Sequence, residues 1–357
     1  MTDFGQQIES IEKEIRETPY HKGTEHYIGK LRAKLARLKD RQLEGEIKSK
    51  GGGGGGGYGV KKQGDATVVL IGPPSAGKST LLNRITNAES KVAAYAFTTV
   101  SVIPGMLKYN DAYIQILDVP GLIEGARQGK GRGKEVLSVA RGADLLLIMT
   151  DIERVGFVDT INSELEDAGI RINTAPPEIR IDKKLQGGLN IQSNLPQALS
   201  KQTIKEVAME YGLKNADIVL KEKFTLERLL DGFSPSRASL PAIYVVNKID
   251  KGKKSKQGNF LYISAETGEG IDSLLKEIWE QLGLVKIYLV RPDEEPNYND
   301  PVIAKQGATL EEIAQNIGPE FAEGKKAARI WGPSAQFPGQ EVPLSTRVVE
   351  GLQLRFI

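Results

Sequence analysis

The sequence predicts an α/β fold built on a mostly parallel sheet with helices on both faces. The first observation is a set of apolar runs of strand length, each followed at once by glycine or polar residues: 67–71, 113–117, 143–149, 242–246 and 260–263. Continuous apolar runs are typical of buried parallel strands. The second observation is the glycine-bounded segment 72–79, which separates the first run from a helical pattern beginning at Thr80. Ligands of open α/β sheets bind beyond the carboxyl ends of the strands, so we expect these polar segments to meet there.

Residues 72–79 complete the pattern G-x-x-x-x-G-K-[ST]. A strand, a glycine-bounded turn and a helix N-terminus point successive backbone N–H groups at a bound anion, with the helix dipole behind them. Lys78 adds a mobile cation for β and γ phosphates, and the Ser79 hydroxyl can ligate Mg²⁺. A chance glycine turn is the alternative, which the flanking strand and helix disfavour. The predicted nucleotide contacts here are Gly72, Pro73, Pro74, Ser75, Ala76, Gly77, Lys78, Ser79 and Thr80.

Three further motifs at strand ends specify the nucleotide. Asn247-Lys248-Ile249-Asp250 offers a carboxylate to the N1–H and N2–H₂ edge of guanine, whereas adenine would leave that carboxylate unpaired. Ser264-Ala265-Glu266 can add a backbone N–H to guanine O6. Asp118-Val119-Pro120-Gly121 offers a carboxylate toward a metal and a glycine N–H toward the γ-phosphate. Each motif alone is weak, but their order along the chain predicts a GTPase.

These motifs resemble those of the Obg superfamily of translation-factor-class GTPases. The resemblance includes Phe97-Thr98-Thr99 and the segment 118–126. The glycines at 51–57 with residues 58–66, and the segment 328–334, resemble its developmentally regulated GTP-binding branch. The resemblance covers essentially the whole chain. It implies GTP and GDP as ligands, with Phe97, Thr98 and Thr99 forming the first switch.

The resemblance also implies the chemistry. Ser79 and Thr99 would ligate Mg²⁺, with Asp118 acting through water, and Thr99 is preferred over Thr98 because the family aligns its second threonine with the switch ligand. Lys78, Thr99 and Gly121 are the predicted catalytic groups, because hydrolysis requires stabilisation of charge on the γ-phosphoryl oxygens.

Two departures from related GTPases bear on the rate of hydrolysis. Leu122 occupies the position where Ras-like GTPases have a water-orienting glutamine, so we expect slow intrinsic turnover. Arg127 or Arg132 can act as a cis arginine, although solvent-facing charges are the favoured interpretation. Ser75 occupies the position where relatives often place a potassium-binding asparagine. K⁺ activation is therefore in doubt without being excluded, since a hydroxyl can also ligate K⁺.

Composition narrows the remaining function classes. The chain has 357 residues and no cysteine, which excludes disulfides, thiolate zinc sites and cysteine catalysis. Its two histidines, His21 and His26, cannot build a zinc site alone. The apolar runs are far shorter than the roughly 20 residues of a membrane helix, so we expect a cytoplasmic protein without membrane contact. The net charge of +2 means that any nucleic-acid affinity must come from local patches.

Residues 1–50 predict a helical hairpin. Ile8, Ile11 and Ile15 form one apolar stripe, and a second stripe continues through residues 28–38 at three- and four-residue spacing. The second helix is basic on its other faces through Lys30, Arg32, Lys34, Arg37, Lys39 and Arg41. A solvated charged face and an RNA contact are both open interpretations. Residues 51–63 predict a glycine-rich linker that would let this helix reach a surface independently.

The remaining chain predicts two larger regions. Residues 64–284 form the GTPase domain, and residues from about 171 to 239 are too many for one connection, so they predict an inserted α+β subdomain. Its expected strands lie near 178–181 and 189–191, and its helices near 204–211 and 226–230. Residues 285–357 predict a β-grasp domain, with a strand at 287–290, a helix at 310–317 and strands near 328–330 and 352–357. This region resembles the TGS module, an RNA or protein docking unit; an ordinary dimerisation domain is the alternative.

Two functions remain open from sequence. The first is a GTPase whose slow cycle acts as a switch on a ribosome or structured RNA. The second is a nucleotide-gated docking protein in which hydrolysis is incidental. The resemblance also implies a stabilising partner protein in some lineages. A metabolic P-loop kinase is disfavoured by the motif at 247–250.

The guanine assignment yields a test at Asp250. We expect Asp250→Asn to weaken guanine binding on the order of a hundredfold, because it removes a charged bidentate acceptor. The variant should favour xanthine nucleotides, since the amide can donate to the O2 that replaces the guanine amine. Equilibrium titrations with GDP and XDP measure both effects. Unchanged GDP affinity would refute the base-recognition assignment.

Overall fold

A computed structural model of the chain describes residues 4–48, 63–86, 93–94, 101–119, 139–234, 236–252 and 258–357. The glycine-rich segment, the switch residues Phe97, Thr98 and Thr99, and residues 120–138 with Gly121, Leu122, Arg127 and Arg132 lie outside the described residues. The described residues form two compact units. One joins the N-terminal helices to Asn162–Leu240, and the other joins residues 63–161 to Pro241–Ile357.

The second unit contains the main sheet. Its strands are β1 (Ala66–Ile71), β2 (Ala93–Ala94), β3 (Ser101–Tyr109), β4 (Ala112–Asp118), β5 (Leu145–Asp151), β11 (Ala242–Asn247) and β12 (Leu261–Tyr262). Their order is β12-β11-β5-β1-β4-β3-β2. The first five in that order pair in parallel, and β3 and β2 add antiparallel edges. Strands β1 and β5 are buried along their whole length, which explains their apolar runs. The predicted α/β class with a mostly parallel sheet is confirmed.

The strand register brings four strand ends to one edge of this sheet. Leu70 of β1 lies beside Asp118 of β4, and Ile71 lies beside Ile148 of β5. Asn247 of β11 pairs with Asp151 of β5. Because these strands are parallel, the polar residues that end them share the edge with the loop leading into helix α3 (Lys78–Ile85). A short 3₁₀ turn at Ile249–Lys251 follows β11, and helix α7 (Ile271–Leu282) follows β12.

The C-terminal part of the second unit is a small mixed sheet with one main helix. Its elements are β13 (Leu284–Leu289), β14 (Pro301–Lys305), α8 (Leu310–Ile317), α9 (Pro319–Ala322), β15 (Ala327–Trp331), β16 (Gln340–Pro343) and β17 (Gln353–Phe356). The strand order is β14-β13-β17-β15-β16, with β13 and β17 parallel. Thr309 and Glu312 form a capping box at the start of α8. Edge strands β14 and β16 were not predicted from sequence; each has a proline at one end, which edge strands tolerate.

The first unit combines the N-terminal helices α1 (Phe4–Glu17) and α2 (Glu25–Lys48) with the predicted insert. The other elements are helix α4 (Phe157–Asp167), which crosses from the second unit, β6 (Ile170–Ile172), β7 (Ile179–Lys183), β8 (Leu189–Ser193), α5 (Lys201–Glu210), β9 (Ala216–Leu220), α6 (Leu226–Phe233) and β10 (Ala238–Leu240). Strands pair as β7-β9-β8 and as β6-β10. Strands β7 and β8 and helices α5 and α6 occur where the sequence predicted them, whereas strands β6, β9 and β10 were not predicted.

Helix α2 packs against the insert. Ala33 is fully buried in the apolar core formed by α5, α6 and the three-stranded sheet. Gly29 permits the close approach, because a Cβ at this position would lie 3.0 Å from Thr203 Cγ2 and 3.5 Å from Leu226 Cδ1. Glu25 accepts hydrogen bonds from the Ser200 N–H and from the Thr203 hydroxyl at the start of α5. The expectation that this helix reaches a surface independently is therefore corrected: its face with Gly29 and Ala33 is buried on the insert, while Leu31 and Leu38 pack against α1 as the hairpin predicts.

The basic residues of α2 are divided between internal pairs and solvent. Lys39 lies 2.8 Å from Glu12 of α1, and Arg32 lies 3.6 Å from Glu227 of α6. Arg37 donates to the carbonyl oxygen of Glu210. Lys30, Lys34 and Arg41 are exposed. Only part of the predicted basic face is thus available to an external partner.

Among the described residues, no helix is long and apolar enough to cross a bilayer.

The Gly29 contact yields a stability test. We expect Gly29→Leu to force α2 away from α5, lowering the local opening free energy by about 2 kcal/mol because overpacking outweighs the helix-propensity gain of about 1 kcal/mol. Hydrogen exchange should accelerate in α2 and α5. Lys34→Leu, at an exposed position of the same helix, is the matched control. Equal protection in Gly29→Leu and the parent chain would show that α2 does not depend on this contact.

Candidate functional site

The loop between β1 and α3 requires glycine at both ends of its motif. A Cβ at Gly72 would lie 2.0 Å from the Met149 carbonyl oxygen of neighbouring β5. Gly77 has a φ of +94°, and a Cβ there would lie 2.3 Å from Asn247 Nδ2. Both distances are far below van der Waals contact, so any larger residue must displace a neighbouring strand or the Asn247 side chain. The two glycines are therefore dictated by packing at the sheet edge.

The N-terminus of α3 is arranged to receive an anion. Its N-cap is Gly77 in the left-handed region; no side chain caps the helix, and no acidic residue lies in its first turn. Ser75 also has a positive φ, of 60°. Alternating backbone conformations of this kind form concave sets of N–H groups, and the helix dipole adds partial positive charge. The arrangement can bind phosphate oxygens.

Lys78 is enclosed by this loop. Its ammonium donates to the carbonyl oxygens of Gly72 and Pro73 at 2.9 and 3.0 Å. Burial lowers the pKa of Lys78; the Asp118 carboxylate offsets part of this change, and the charge of Arg154 adds to it. A buried ammonium with carbonyl partners is positioned to exchange them for phosphate oxygens.

Asp118 and Ser79 form a donor set suited to a hard cation. The Ser79 hydroxyl donates to Asp118 Oδ2 at 2.6 Å. Asp118 is 2% exposed, and its Oδ1 has no hydrogen-bond partner among the described residues. The described residues contain no cluster of three His, Cys, Asp or Glu side chains that could hold an ion. Mg²⁺ characteristically uses one or two protein oxygens together with substrate phosphates, so these two residues fit it.

Asn247 joins the phosphate-binding loop to the loop after β12. Its Nδ2 donates to the Ala76 carbonyl oxygen at 2.9 Å, and its Oδ1 accepts from the Ala265 N–H at 2.9 Å. The side chain is buried, so both hydrogen bonds lie away from solvent. Asn247 thereby fixes the spacing between the two loops.

Asp250 and Ser264 lie together on the predicted base-binding side. The Ser264 hydroxyl donates to Asp250 Oδ1 at 2.6 Å and accepts from the Thr267 N–H at 3.1 Å. The hydrogen bond from Ser264 holds the pKa of Asp250 below its ordinary value. The ionised carboxylate can accept hydrogen bonds from two donors of a base.

The structure adds Asp151 and Arg154, which sequence reasoning missed. Asp151 ends β5, and its Oδ2 accepts from Lys248 Nζ at 3.1 Å and from Arg154 Nη2 at 2.6 Å. Burial alone would raise the pKa of Asp151, but the hydrogen bonds from Arg154 and Lys248 outweigh it and hold the pKa low. Lys248 itself has a positive φ of 63°. The available signal was a carboxylate at a strand end, the same signal that singled out Asp118.

The described site residues thus meet at one sheet edge. Residues 72–80, Asp118, Asn247, Lys248, Asp250 and the loop 264–266 all belong to it. In that last loop the Ala265 N–H donates to Asn247, so which N–H serves guanine O6 stays a prediction at this point. The assignments of Phe97, Thr98, Thr99 and Gly121 concern residues outside the described ranges.

Three family descriptions match consecutive parts of the chain. Residues 67–183 match the family described as "50S ribosome-binding GTPase", and residues 186–284 match the C-terminal region of that domain. Residues 285–357 match the TGS domain.

Similar proteins are found across domains of life. A GTP-binding protein of Methanocaldococcus jannaschii is 42% identical over 97% of this chain and 90% of its own length. The developmentally regulated G-protein 3 of Arabidopsis thaliana is 41% identical over 96% of this chain and 95% of its own length. Among solved structures, the YchF GTPase of Schizosaccharomyces pombe aligns with 83% of this chain and 99% of its own, at a TM-score of 0.42 and 14% identity.

The Asn247 bridge yields a test of the site. Asn247→Asp places a carboxylate oxygen against the Ala76 carbonyl, and we expect a loss of about 3 kcal/mol in unfolding free energy because a buried charge lacks its donor. GDP binding should fall with it. Asn299→Asp, at an exposed position, is the control. Urea unfolding and GDP titration of both variants make the comparison, and a stable Asn247→Asp variant with parental affinity would contradict the bridging role.

Proposed function

Because the chain belongs to the developmentally regulated GTP-binding protein family of Obg-type GTPases, we propose that it hydrolyses GTP slowly to GDP and phosphate as a ribosome- or RNA-associated switch. The observation that carries the proposal is the convergence of the loop 72–79, Asp118 and Asn247 at one sheet edge. Three independent strand ends would not supply a phosphate cradle, a cation ligand and a base-loop anchor together unless one ligand spans them.

The phosphates, the bound Mg²⁺ and the guanine base each have a chemical partner in this proposal. The N–H groups of residues 75–80 and the Lys78 ammonium bind the β and γ phosphates. Ser79 and Asp118 hold Mg²⁺, together with the predicted ligand Thr99. The cation supplies charge neutralisation for the phosphates. Asp250 accepts from the guanine N1–H and N2–H₂, while Asp151 orients Lys248 beside it.

The slow turnover in this proposal follows from the protein groups expected next to the γ-phosphate. Lys78 stabilises charge on the transferred group, and Thr99 and Gly121 contribute backbone N–H groups. Leu122 carries no group that can orient water, so this position supplies no counterpart of the water-orienting glutamine of Ras-like GTPases. Ser75 leaves a role for K⁺ as an open part of the proposal.

The association with a ribosome or structured RNA has three supports. Residues 67–183 match a family described as ribosome-binding, and a TGS domain occupies the C-terminal region. Lys30, Lys34 and Arg41 form an exposed basic strip on α2. Phosphate contacts through such residues release counterions, so this association should weaken steeply with salt. A dedicated stabilising partner protein and a cytoplasmic location belong to the same proposal.

The second candidate is a nucleotide-gated docking protein. Leu122 favours it, because a chain without a water-positioning side chain can use GTP to hold one shape. In that case the GTP-bound protein would bind ribosomes preferentially, and ribosomes would leave its GTP turnover unchanged. The intact Mg²⁺ ligand set favours the switch.

Turnover with and without ribosomes separates the two candidates. For the switch we expect ribosomes to raise kcat at least tenfold, equivalent to about 1.4 kcal/mol of barrier. Ser79→Ala should abolish Mg²⁺-dependent nucleotide binding and remove the stimulation, while Ser193→Ala, an exposed serine of the insert, should leave both unchanged. GTP-dependent co-sedimentation without stimulated turnover would select the docking protein. Failure of the parent chain to bind GTP would refute both.

A further inference from the structure

Arg84 links the helix behind the phosphate-binding loop to the loop that follows β12. It lies in the last turn of α3, and its guanidinium donates from Nε to the Ala265 carbonyl oxygen and from Nη2 to the Glu266 carbonyl oxygen. Two adjacent carbonyls are thus held by one rigid fork of donors. Such a bidentate contact fixes orientation as well as distance.

Four other backbone N–H groups of this loop have acceptors within the protein. The Ser264 N–H donates to the Glu269 carbonyl oxygen, and the Gly268 N–H donates to the Ser264 carbonyl oxygen. The Ala265 N–H donates to Asn247, and the Thr267 N–H donates to the Ser264 hydroxyl. Among the hydrogen bonds of the described residues, the Glu266 N–H has no acceptor.

Peptide geometry determines where that remaining N–H points. The C=O of Ala265 and the N–H of Glu266 belong to one planar trans peptide, so they point in opposite directions. Arg84 holds the carbonyl on the α3 side. The Glu266 N–H therefore points away from α3, as a fixed donor on the opposite side of the loop.

Gly268 makes room for the guanidinium. A Cβ at this position would lie 3.1 Å from Arg84 Nη1, and its φ of +95° disfavours other residues. Arg84 therefore contacts this loop in two places: it hydrogen-bonds the carbonyl oxygens of Ala265 and Glu266, and it packs against Gly268. Lysine has a single ammonium and cannot hold both carbonyls in one plane.

We propose that Arg84 is a positioning residue that aims the Glu266 N–H at O6 of guanine and so sets part of the base specificity. This inference rests on the proposed GTP site. Asp250 reads the N1–H and N2–H₂ donors of the base, and the Glu266 peptide, held by Arg84, reads its O6 acceptor. Both contacts of Arg84 in this inference are to loop carbonyls, so its effect on binding should depend on which atom the ligand carries at position 6.

The test is a ligand-by-residue cycle on the full-length chain. GDP, 6-thio-GDP, which carries sulfur in place of O6, and IDP, which lacks the N2 amine, are titrated into the parent, Arg84→Met and Arg84→Lys. We expect the parent to bind 6-thio-GDP roughly three- to tenfold more weakly than GDP, the worth of one hydrogen bond. We define the 6-thio penalty as the ratio of the Kd for 6-thio-GDP to the Kd for GDP. In Arg84→Met, GDP binding should weaken by a similar factor, and the 6-thio penalty should fall toward one. Arg84→Lys should retain an intermediate penalty.

The preference for GDP over IDP shows whether a substitution at Arg84 shifts only the Glu266 N–H or disrupts the nucleotide site as a whole. That preference depends on Asp250, so Arg84→Met should retain it even as the 6-thio penalty disappears. Lys276→Met, on the exposed face of α7, is the control substitution and should leave all three affinities unchanged. An Arg84→Met variant with an unchanged 6-thio penalty, whether its GDP affinity falls or not, would overturn the inference. A parent chain that fails to prefer GDP over ADP would instead overturn the proposed function, so the two failures are distinguishable.

Discussion

The arrangement of the site depends on the buried amide of Asn247. Its two ends hydrogen-bond the phosphate-binding loop at Ala76 and the following loop at Ala265, so the two loops keep one spacing. Gly77 is part of the same constraint, because any Cβ there would meet the Asn247 amide. A residue with one donor and one acceptor at fixed separation is needed here, and the buried location makes an unmatched group costly. The motif asparagine is thus first a structural clamp.

Electrostatics keep the rest of this edge in place. Asp151 is the buried anion that pairs with Lys248 and Arg154. Asp118 is a second buried anion; it accepts from the Ser79 hydroxyl, and its charge offsets part of the lowering of the Lys78 pKa. Each carboxylate is the last residue of a strand in the parallel part of the sheet. Pairing Asp151 with two cations avoids the large cost of an isolated buried charge. The edge therefore combines anion-binding backbone with one ion-paired carboxylate and with Asp118, whose Oδ1 has no hydrogen-bond partner among the described residues.

The two units connect this site to the rest of the chain differently. In the second unit, Lys305 of the C-terminal sheet lies 2.9 Å from Asp144, whose other oxygen accepts from the N–H of Thr67 in β1. The strand that leads into the phosphate-binding loop is therefore tied to the C-terminal domain. In the first unit, Ala33 of α2 lies in the apolar core of the insert, so these two regions pack as one unit.

The sequence by itself determined the α/β class, the phosphate-binding loop, the base motif at 247–250 and the C-terminal helix at 310–317, because local periodicity and short contiguous motifs encode them. Only the tertiary structure decided the burial of α2 on the insert, the edge strands β14 and β16, and the roles of Asp151, Arg154 and Arg84. These depend on contacts between residues far apart in the chain, such as Arg84 with Ala265 and Gly29 with Thr203. A spacing rule cannot express such contacts, since neither partner is unusual in its own segment.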